Sequence, residues 1–501
     1  MAIKSFLLKP LAKRVSSSIL RNAQNAVADQ KIILQKNIAQ AAHTQFGKDH
    51  NLASIKTYED FKAAVPIRDY EGLKNYFDQI RDGVADVMWP GVPRYLAKTS
   101  GTTSGVKYIP LTKESIPNHF GTARNALFHY YAQSGHGEWV DGKLIFLSGS
   151  PQLTKTSGIL TGRLSGIVNH MVPGWLKRSQ LPSYETNCIE DWETKLDRIV
   201  EETYDKDMRL ISGIPPWVQM YYERLLEKTG APDIKTLFPN YNMFVFGGVN
   251  FEPYREVLEK LVGASIPSLE TYPASEGFIA YQDDVHDRGL LLNTNSGIFF
   301  EFVRVADFGQ EDPMRYSLEH VELGVNYVII LNTNAGLWAY NIGDTVSFVS
   351  LNPYKIVVTG RLKHFISAFG EHVIGKEVEE AMIKACTIHD ARVVEFTVAP
   401  QISPQSGLPY HEWMIEFAEA PKDTSSFAQS LDNEMSKQNI YYKDLIEGRI
   451  LRSLRISILK QGAFRNYMKS KGKLGGQNKV PRLSNDRTIA KELEIHRISM
   501  I

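Results

Sequence analysis

Two four-residue apolar runs constrain the fold of this chain more than any other feature. Leu144–Leu147 and Met243–Phe246 each stop at small residues, Ser148 and Gly149 in one case and Gly247 and Gly248 in the other. Runs of that length, bounded by turn residues, suit strands covered on both faces. Ser115 to Gln133 precedes the first run with helical character, and a helix begins near Pro253 after the second. Apolar strands alternating with helices predict an α/β chain with a mostly covered sheet. Ligands of such sheets gather at the carboxyl ends of the strands, where glycine lets backbone groups approach them. A tight turn alone would also account for Gly247 and Gly248.

With 501 residues, 43% of them hydrophobic, the chain can bury large cores and divides into two or three domains. A net charge of +1 gives no basis for nucleic acid or an anionic membrane as the main partner. The two cysteines, Cys188 and Cys386, form neither a disulfide framework nor a zinc-ligand spacing, which fits a reducing cytoplasm. The apolar run Phe6–Leu8 is too short for a signal core or a membrane span, so the basic N-terminus reads as a helical arm packed on the body. None of the 13 histidines forms HExxH, and Ser148-Gly149-Ser150 lacks the flanks of a hydrolase elbow.

Between Thr99 and Pro110 the sequence reads TSGTTSGVKYIP. Thr99, Ser100, Thr102, Thr103 and Ser104 offer hydroxyl donors, Gly101 and Gly105 let the backbone approach an anion, and Lys107 follows with a positive charge. The pattern is phosphate-binding chemistry, although it is not a Walker loop, and its composition is also that of a Ser/Thr/Gly surface loop.

Along the rest of the chain, apolar spacing predicts one amphipathic helix over Ser16–Phe46 with Gly47 as its cap, then shorter helical pieces around Pro66, where Ile67, Arg68 and Tyr70 read as packing residues. Thr154–Pro182 shows no clean periodicity. Strands are expected at Gly297–Val305 and Asn326–Leu331. Asn352-Pro353 marks a turn, and the main domain boundary follows it, giving domains 1–360 and 361–501. The second is a small α/β unit with helices near Glu377–Ala385 and Thr424–Met435, strands at Arg392–Val398, Trp413–Phe417 and Leu454–Leu459, and a lysine-rich loop from Lys471 to Arg482.

Five clusters stand in order: the hydroxyl and glycine loop, Tyr272-Pro273-Ala274-Ser275-Glu276, Tyr340-Asn341-Ile342-Gly343-Asp344, Gly360-Arg361-Leu362-Lys363, and the lysine loop ending Gln477-Asn478-Lys479-Val480-Pro481-Arg482. Together they resemble the adenylate-forming, firefly luciferase-like superfamily, and most of all its Gretchen Hagen 3 family of acyl acid amido synthetases. The resemblance implies a large N-terminal domain of mixed sheets covered by helices and a smaller, mobile C-terminal lid. It implies a ligase that uses ATP and Mg²⁺ to adenylate a carboxylic acid and then passes the acyl group to an amino acid.

By the same resemblance, Ser100, Gly101, Thr102, Thr103, Ser104 and Gly105 would hold the β- and γ-phosphates, with Lys107 as a charge partner and Gly247 and Gly248 at the nucleotide. Tyr272 would stack on adenine and Ser275 would donate to the α-phosphate. Glu276 would help hold Mg²⁺, its alternative being a helix-start carboxylate. Asp344 would accept the ribose hydroxyls, or else serve as a turn aspartate. Lys479 would meet the attacking carboxylate and the α-phosphate, or else lie solvated among its lysine neighbours. Arg361 and Lys363 would form the hinge of the lid. Ala339 and Asn341 stand where plant members carry arginines, so no plant hormone is implied as substrate. Two other functions stay open: transfer of the acyl group to coenzyme A, and non-catalytic binding of acyl ligands or nucleotides.

Overall fold

The computed structural model describes residues 3–100, 106–248, 251–362, 373–402, 404–447, 451–474, 479–484 and 486–501. The chain forms two compact units, Met1–Ile342 with Val346–Val357, and Gly343–Thr345 with Val358–Ile501. A twelve-stranded sheet dominates, in the spatial order Tyr316–Ser317, Ile298–Arg304, Asn326–Thr333, Tyr340–Leu351, Tyr354–Arg361, Leu290–Leu292, Gly277–Gln282, Ser268–Ala274, Met243–Gly247, Met208–Ser212, Lys143–Phe146 and Gln180–Leu181. Its last five strands pair in parallel, while Gly277–Gln282 turns back antiparallel on Ser268–Ala274. The sheet is therefore mixed, as expected. Its parallel part carries the two apolar runs, and Ile145 and Met243 are fully buried.

The expected single helix over Ser16–Phe46 is two helices, Ile3–Gln24 and Ala26–Ala41, broken at Asn25, followed by a short third at Gln45–Asp49. Gly47 is no cap. It lies within the third helix, where a Cβ would come 2.1 Å from the Ala41 carbonyl, so close packing demands glycine there. The N-terminal arm packs as anticipated: Ala12 joins Phe128, Tyr131 and Trp139 in one cluster, with Leu8, Val15 and Ile19 against it. The aperiodic stretch Thr154–Pro182 folds into a hairpin, Thr154–Thr156 with Ile159–Arg163, and short helices at Leu164–Asn169 and Gly174–Lys177. Its signal was weak because each piece is shorter than one helical or strand repeat needs. A second, four-stranded sheet runs Val106–Leu111, Tyr95–Ser100, Ile159–Arg163, Thr154–Thr156.

In the smaller unit the sheet order is Arg392–Gln401, Tyr410–Glu419, Arg455–Leu459, Arg497–Met500. Helices Gly375–His389 and Thr424–Gln438 contribute Val378, Met382, Phe427 and Leu431 to its core with Trp413 and Ile456. The terminal strand had no sequence signal, since Ile498 is 63% exposed at a sheet edge.

One buried charge ties the larger unit together. Glu301, with no exposed surface, accepts bonds from Arg315 Nε at 2.9 Å and Nη2 at 2.7 Å, from Tyr58 Oη at 2.9 Å and from Asn332 Nδ2 at 2.8 Å. Arg315 Nη1 also donates to the Val65 carbonyl at 2.5 Å. Replacing Arg315 by Met leaves a buried carboxylate without its cation, and the unfolding free energy should fall by about 3–5 kcal/mol in a urea titration.

His119, on helix Ile116–Ser134, is 4% exposed with no partner at Nδ1, and burial pushes its pKa down to about 4. The folded state thus favours the neutral ring. That stability is complete above the usual histidine value of 6.5 and declines as the pH falls toward 4, a loss of about 3 kcal/mol. Thermal unfolding between pH 7 and 4 should show the decline, and His119→Gln should flatten that part of the profile.

Candidate functional site

Parallel pairing sends the carboxyl ends of Lys143–Phe146, Met208–Ser212, Met243–Gly247 and Ser268–Ala274 to one edge of the large sheet. Ser148 and Gly149, Gly247 and Gly248, and Ser275 and Glu276 follow those ends. Gly247 is explained by packing, since a Cβ there would come 2.4 Å from the Thr271 carbonyl of the neighbouring strand. Gly248 takes a left-handed φ of +81°.

Ser275 and Glu276 form the two-residue turn between Ala274 and Gly277, which face each other across antiparallel strands. Glu276 is therefore no helix-start carboxylate. The Tyr340 hydroxyl is hydrogen-bonded to it, and burial first, then the charge of Glu276, holds that phenol well above its ordinary pKa. Two of the five sequence clusters are thereby joined side chain to side chain.

A third cluster comes in through a segment that the sequence marked only as packing. Arg68 N donates to the Ala339 carbonyl at 3.1 Å and Asn341 N donates to the Arg68 carbonyl at 2.9 Å, so a stretch of extended chain after Pro66 lies alongside Tyr340. Tyr70 stacks on Phe77 with centroids 4.5 Å apart, and Phe77 meets Tyr340 edge-on at 6.1 Å. The Tyr70 hydroxyl accepts from Tyr108 N at 3.2 Å, and Lys107 Nζ stands 5.5 Å over the Tyr70 ring. Lys107 faces Thr99 and Val106 faces Ser100 in the hairpin register. Gly101, Thr102, Thr103, Ser104 and Gly105 lie outside the described residues. Arg68 and Tyr70 are thus the positioning residues that sequence reading missed; the one available signal was Pro66, which holds the preceding residue extended.

Ala339 adopts a left-handed φ of +41°, which costs a residue with a Cβ about 1–2 kcal/mol. Its N–H donates to Asn332 Oδ1 at 2.7 Å, on the same amide that donates to Glu301. Tyr272 is 8% exposed and packs among Ile279, Leu290 and Ile298, so its ring is part of the sheet core.

In the smaller unit, Asp344 is 3% exposed on strand Tyr340–Leu351, which makes it a strand residue and no turn aspartate. Arg361 ends strand Tyr354–Arg361, and Lys363 lies outside the described residues. Lys479 is exposed, and the residues after it are stitched to strand Arg392–Gln401. Thr397 Oγ1 donates to the Pro481 carbonyl at 2.7 Å, and Val398 N donates to the Arg482 carbonyl at 2.9 Å. The Arg482 guanidinium stacks 4.7 Å from Phe396 and pairs with Glu379 at 3.1 Å and with Glu395.

Among the described residues no group of three or more His, Cys, Asp or Glu could hold a metal. Glu276, a single partly exposed carboxylate at a strand-end turn, suits a cation that keeps waters and phosphate oxygens as its other ligands.

Domain profiles of the GH3 family match the chain three times: its N-terminal domain over residues 16–182, its central domain over 291–361 and its C-terminal domain over 376–488. Jasmonoyl–L-amino acid synthetase JAR4 of Nicotiana attenuata is 22% identical over 90% of each chain. Indole-3-acetic acid-amido synthetase GH3.15 of Arabidopsis thaliana is 23% identical, over 98% of this chain and 96% of its own. The solved structure of the GH3.15 acyl acid amido synthetase with 2,4-DB has the same fold, with a TM-score of 0.81 at 18% identity over 98% of this chain and 97% of its own. A 2-hydroxyisobutyryl-CoA ligase shares it more loosely, with a TM-score of 0.55 at 13% identity over 96% and 92%. With the family's three domains matched in order along its length, this chain belongs to the GH3 family.

Proposed function

We propose that this protein adenylates a carboxylic acid with ATP and transfers the acyl group to the amine of an amino acid. The observation that carries this reading is the meeting of Glu276 and Tyr340, beside Tyr70, at the strand-end edge of a chain whose relatives are named amino acid amido synthetases.

In the first step a carboxylate oxygen forms a bond to the α-phosphorus and the bond to the β-phosphate bridging oxygen breaks, releasing pyrophosphate. In the second the amine nitrogen attacks the acyl carbonyl, AMP leaves with the electron pair of the broken C–O bond, and the amine proton passes to solvent. Neither step needs a protein nucleophile, so catalysis rests on positioning and on neutral or cationic donors aimed at developing charge. Mg²⁺, when bound, would neutralise phosphate charge. Glu276 would hold it, with the Tyr340 hydroxyl fixing the carboxylate's orientation as an outer-shell donor does. Ser275 would donate to the α-phosphate and Tyr272 would border the adenine. The hydroxyl loop from Ser100 to Gly105 with Lys107 would cradle the outer phosphates, and Gly247 and Gly248 would let backbone approach the nucleotide. Asp344 would accept the ribose hydroxyls, and Lys479 would meet the attacking carboxylate. Arg361 and Lys363 would form a hinge between domains 1–360 and 361–501, the second serving as a mobile lid.

No helix among the described residues is long and apolar enough to cross a membrane. Cys188 and Cys386 are free thiols, in keeping with a cytoplasmic setting.

Pyrophosphate release from Mg·ATP, measured against a panel of aromatic and short acyl acids, tests the reading. Wild type should respond to at least one acid and Lys479→Ala should not. Adding single amino acids or coenzyme A then separates amide from thioester formation. Failure of every acid, despite ATP binding, would favour a non-catalytic binding protein. Tyr340→Phe should raise the Mg²⁺ concentration needed for half-maximal release by about tenfold, since it strips the carboxylate of its orienting donor.

A further inference from the structure

Before Asp29 the chain carries five Lys and Arg residues and neither Asp nor Glu. All five lie on helix Ile3–Gln24, the arm packed on the larger unit. The net charge of +1 averages this local excess away over the whole chain. Leu8, Ala12, Val15 and Ile19 recur at three- and four-residue spacing and make the inner face of the helix. Its first turn is clamped as well. The Asp141 carboxylate accepts from Lys4 N at 3.0 Å and from Ser5 N at 3.3 Å, and Tyr131 Oη donates to the Ser5 carbonyl at 2.8 Å. With the inner face fixed, the outer face is presented to solvent without any rearrangement.

That outer face is not a purely polar one. Phe6 is 75% exposed, Leu7 67% and Leu11 44%. Phe6 and the exposed Pro10 stand one turn apart, as do Leu7 and Leu11, so these side chains form one patch and are not scattered singly. Lys9, Lys13 and Arg14 border the patch, and Arg21 continues the same side of the helix, all of them exposed. Among the described residues none of these four cations pairs with a carboxylate.

We infer that this face docks the protein on an anionic lipid surface, with helix Ile3–Gln24 lying in the plane of the headgroups. An apolar patch bordered by cations matches a bilayer interface on both counts. Phe6, Leu7 and Leu11 reach the acyl boundary, while the ammonium and guanidinium groups stay at the charged headgroups. The helix lies on the membrane and does not span it, since no helix among the described residues is long and apolar enough to cross. A second copy of the chain fits less well, because two-fold pairing of this face sets cation against cation. Nucleic acid would use the cations but leave the apolar patch in water. The inference is independent of the reaction proposed above.

Cosedimentation of the full chain with vesicles tests it, using phosphatidylcholine alone or phosphatidylcholine with about one-third phosphatidylserine, at about 0.1 M salt. Wild type should partition onto the anionic vesicles at least about tenfold more strongly than onto the neutral ones, and less so as salt is raised. Lys13→Glu combined with Arg14→Glu should abolish most of that preference. Phe6→Ser combined with Leu7→Ser should weaken binding to the anionic vesicles by about tenfold or more. All four side chains are exposed, so thermal unfolding of both variants should match wild type and separate lost docking from lost folding. The comparison of the two vesicles needs no variant at all: absent or equal binding by wild type would overturn the inference. Unchanged vesicle binding in a folded Phe6→Ser, Leu7→Ser variant would overturn it too, and retention of a short DNA duplex by wild type would then mark a polyanion surface. Dimerisation in sedimentation velocity that the same variant abolishes, without vesicle binding, would assign the face to a second copy. None of these readouts requires that any acid release pyrophosphate, so failure here and failure of the proposed function are told apart.

Discussion

The larger unit is organised around the buried carboxylate of Glu301. A charge with no exposed surface is tolerable only when its lone pairs are filled, and Arg315, Tyr58 and Asn332 fill them. Each of those donors comes from a different part of the chain. Arg315 also takes the Val65 carbonyl, so the segment leading through Pro66 to Arg68 is fixed at its start. Asn332 uses its amide nitrogen on Glu301 and its oxygen on Ala339 N, and so holds that residue in its left-handed conformation just before Tyr340. The strained turn and the extended segment then pair with each other through Arg68, and Tyr340 is delivered to Glu276. The site geometry is thus a consequence of how a single charge was buried some distance along the same sheet.

This arrangement also explains why the pieces of the site are rigid where they need to be. Tyr70, Phe77 and Tyr340 make a continuous aromatic stack and edge contact, which fixes ring planes with little conformational entropy left to lose. Lys107 rests over the Tyr70 ring on a strand, so its charge is directed by a hairpin and not by a flexible stem alone. In the smaller unit a comparable device holds the chain that follows Lys479. The lysine itself is exposed, but Pro481, Arg482 and Leu483 are sewn to the neighbouring strand by backbone bonds and by a guanidinium stacked on Phe396.

The sequence carried the parallel strands and their glycine ends because a short apolar run closed by small residues has few other folded uses. It carried the clusters around Glu276 and Tyr340 as chemistry, but not their contact, because the two are brought together by strand pairing across more than sixty positions of chain. Arg68 and Tyr70 were legible only as packing: an arginine that acts through its backbone, as Arg68 does here, leaves no mark in residue type. Helix breaks such as Asn25 were missed for a different reason, since the apolar spacing runs on across the break and only tertiary packing ends the first helix. Tyr272, singled out for stacking, is 8% exposed within a core cluster of the sheet, a burial that residue type alone does not announce.

The electrostatics of the strand-end edge follow from the same economy. Glu276 meets a phenol that burial keeps protonated, so the carboxylate gains a neutral donor. Lys107 rests over the Tyr70 ring, and the buried Lys195 donates to the Ser148 and Asn187 carbonyls just past a strand end. A neutral phenol at the carboxylate and an aromatic face under the ammonium fix where each charge sits, and both contacts are set by strand and hairpin geometry.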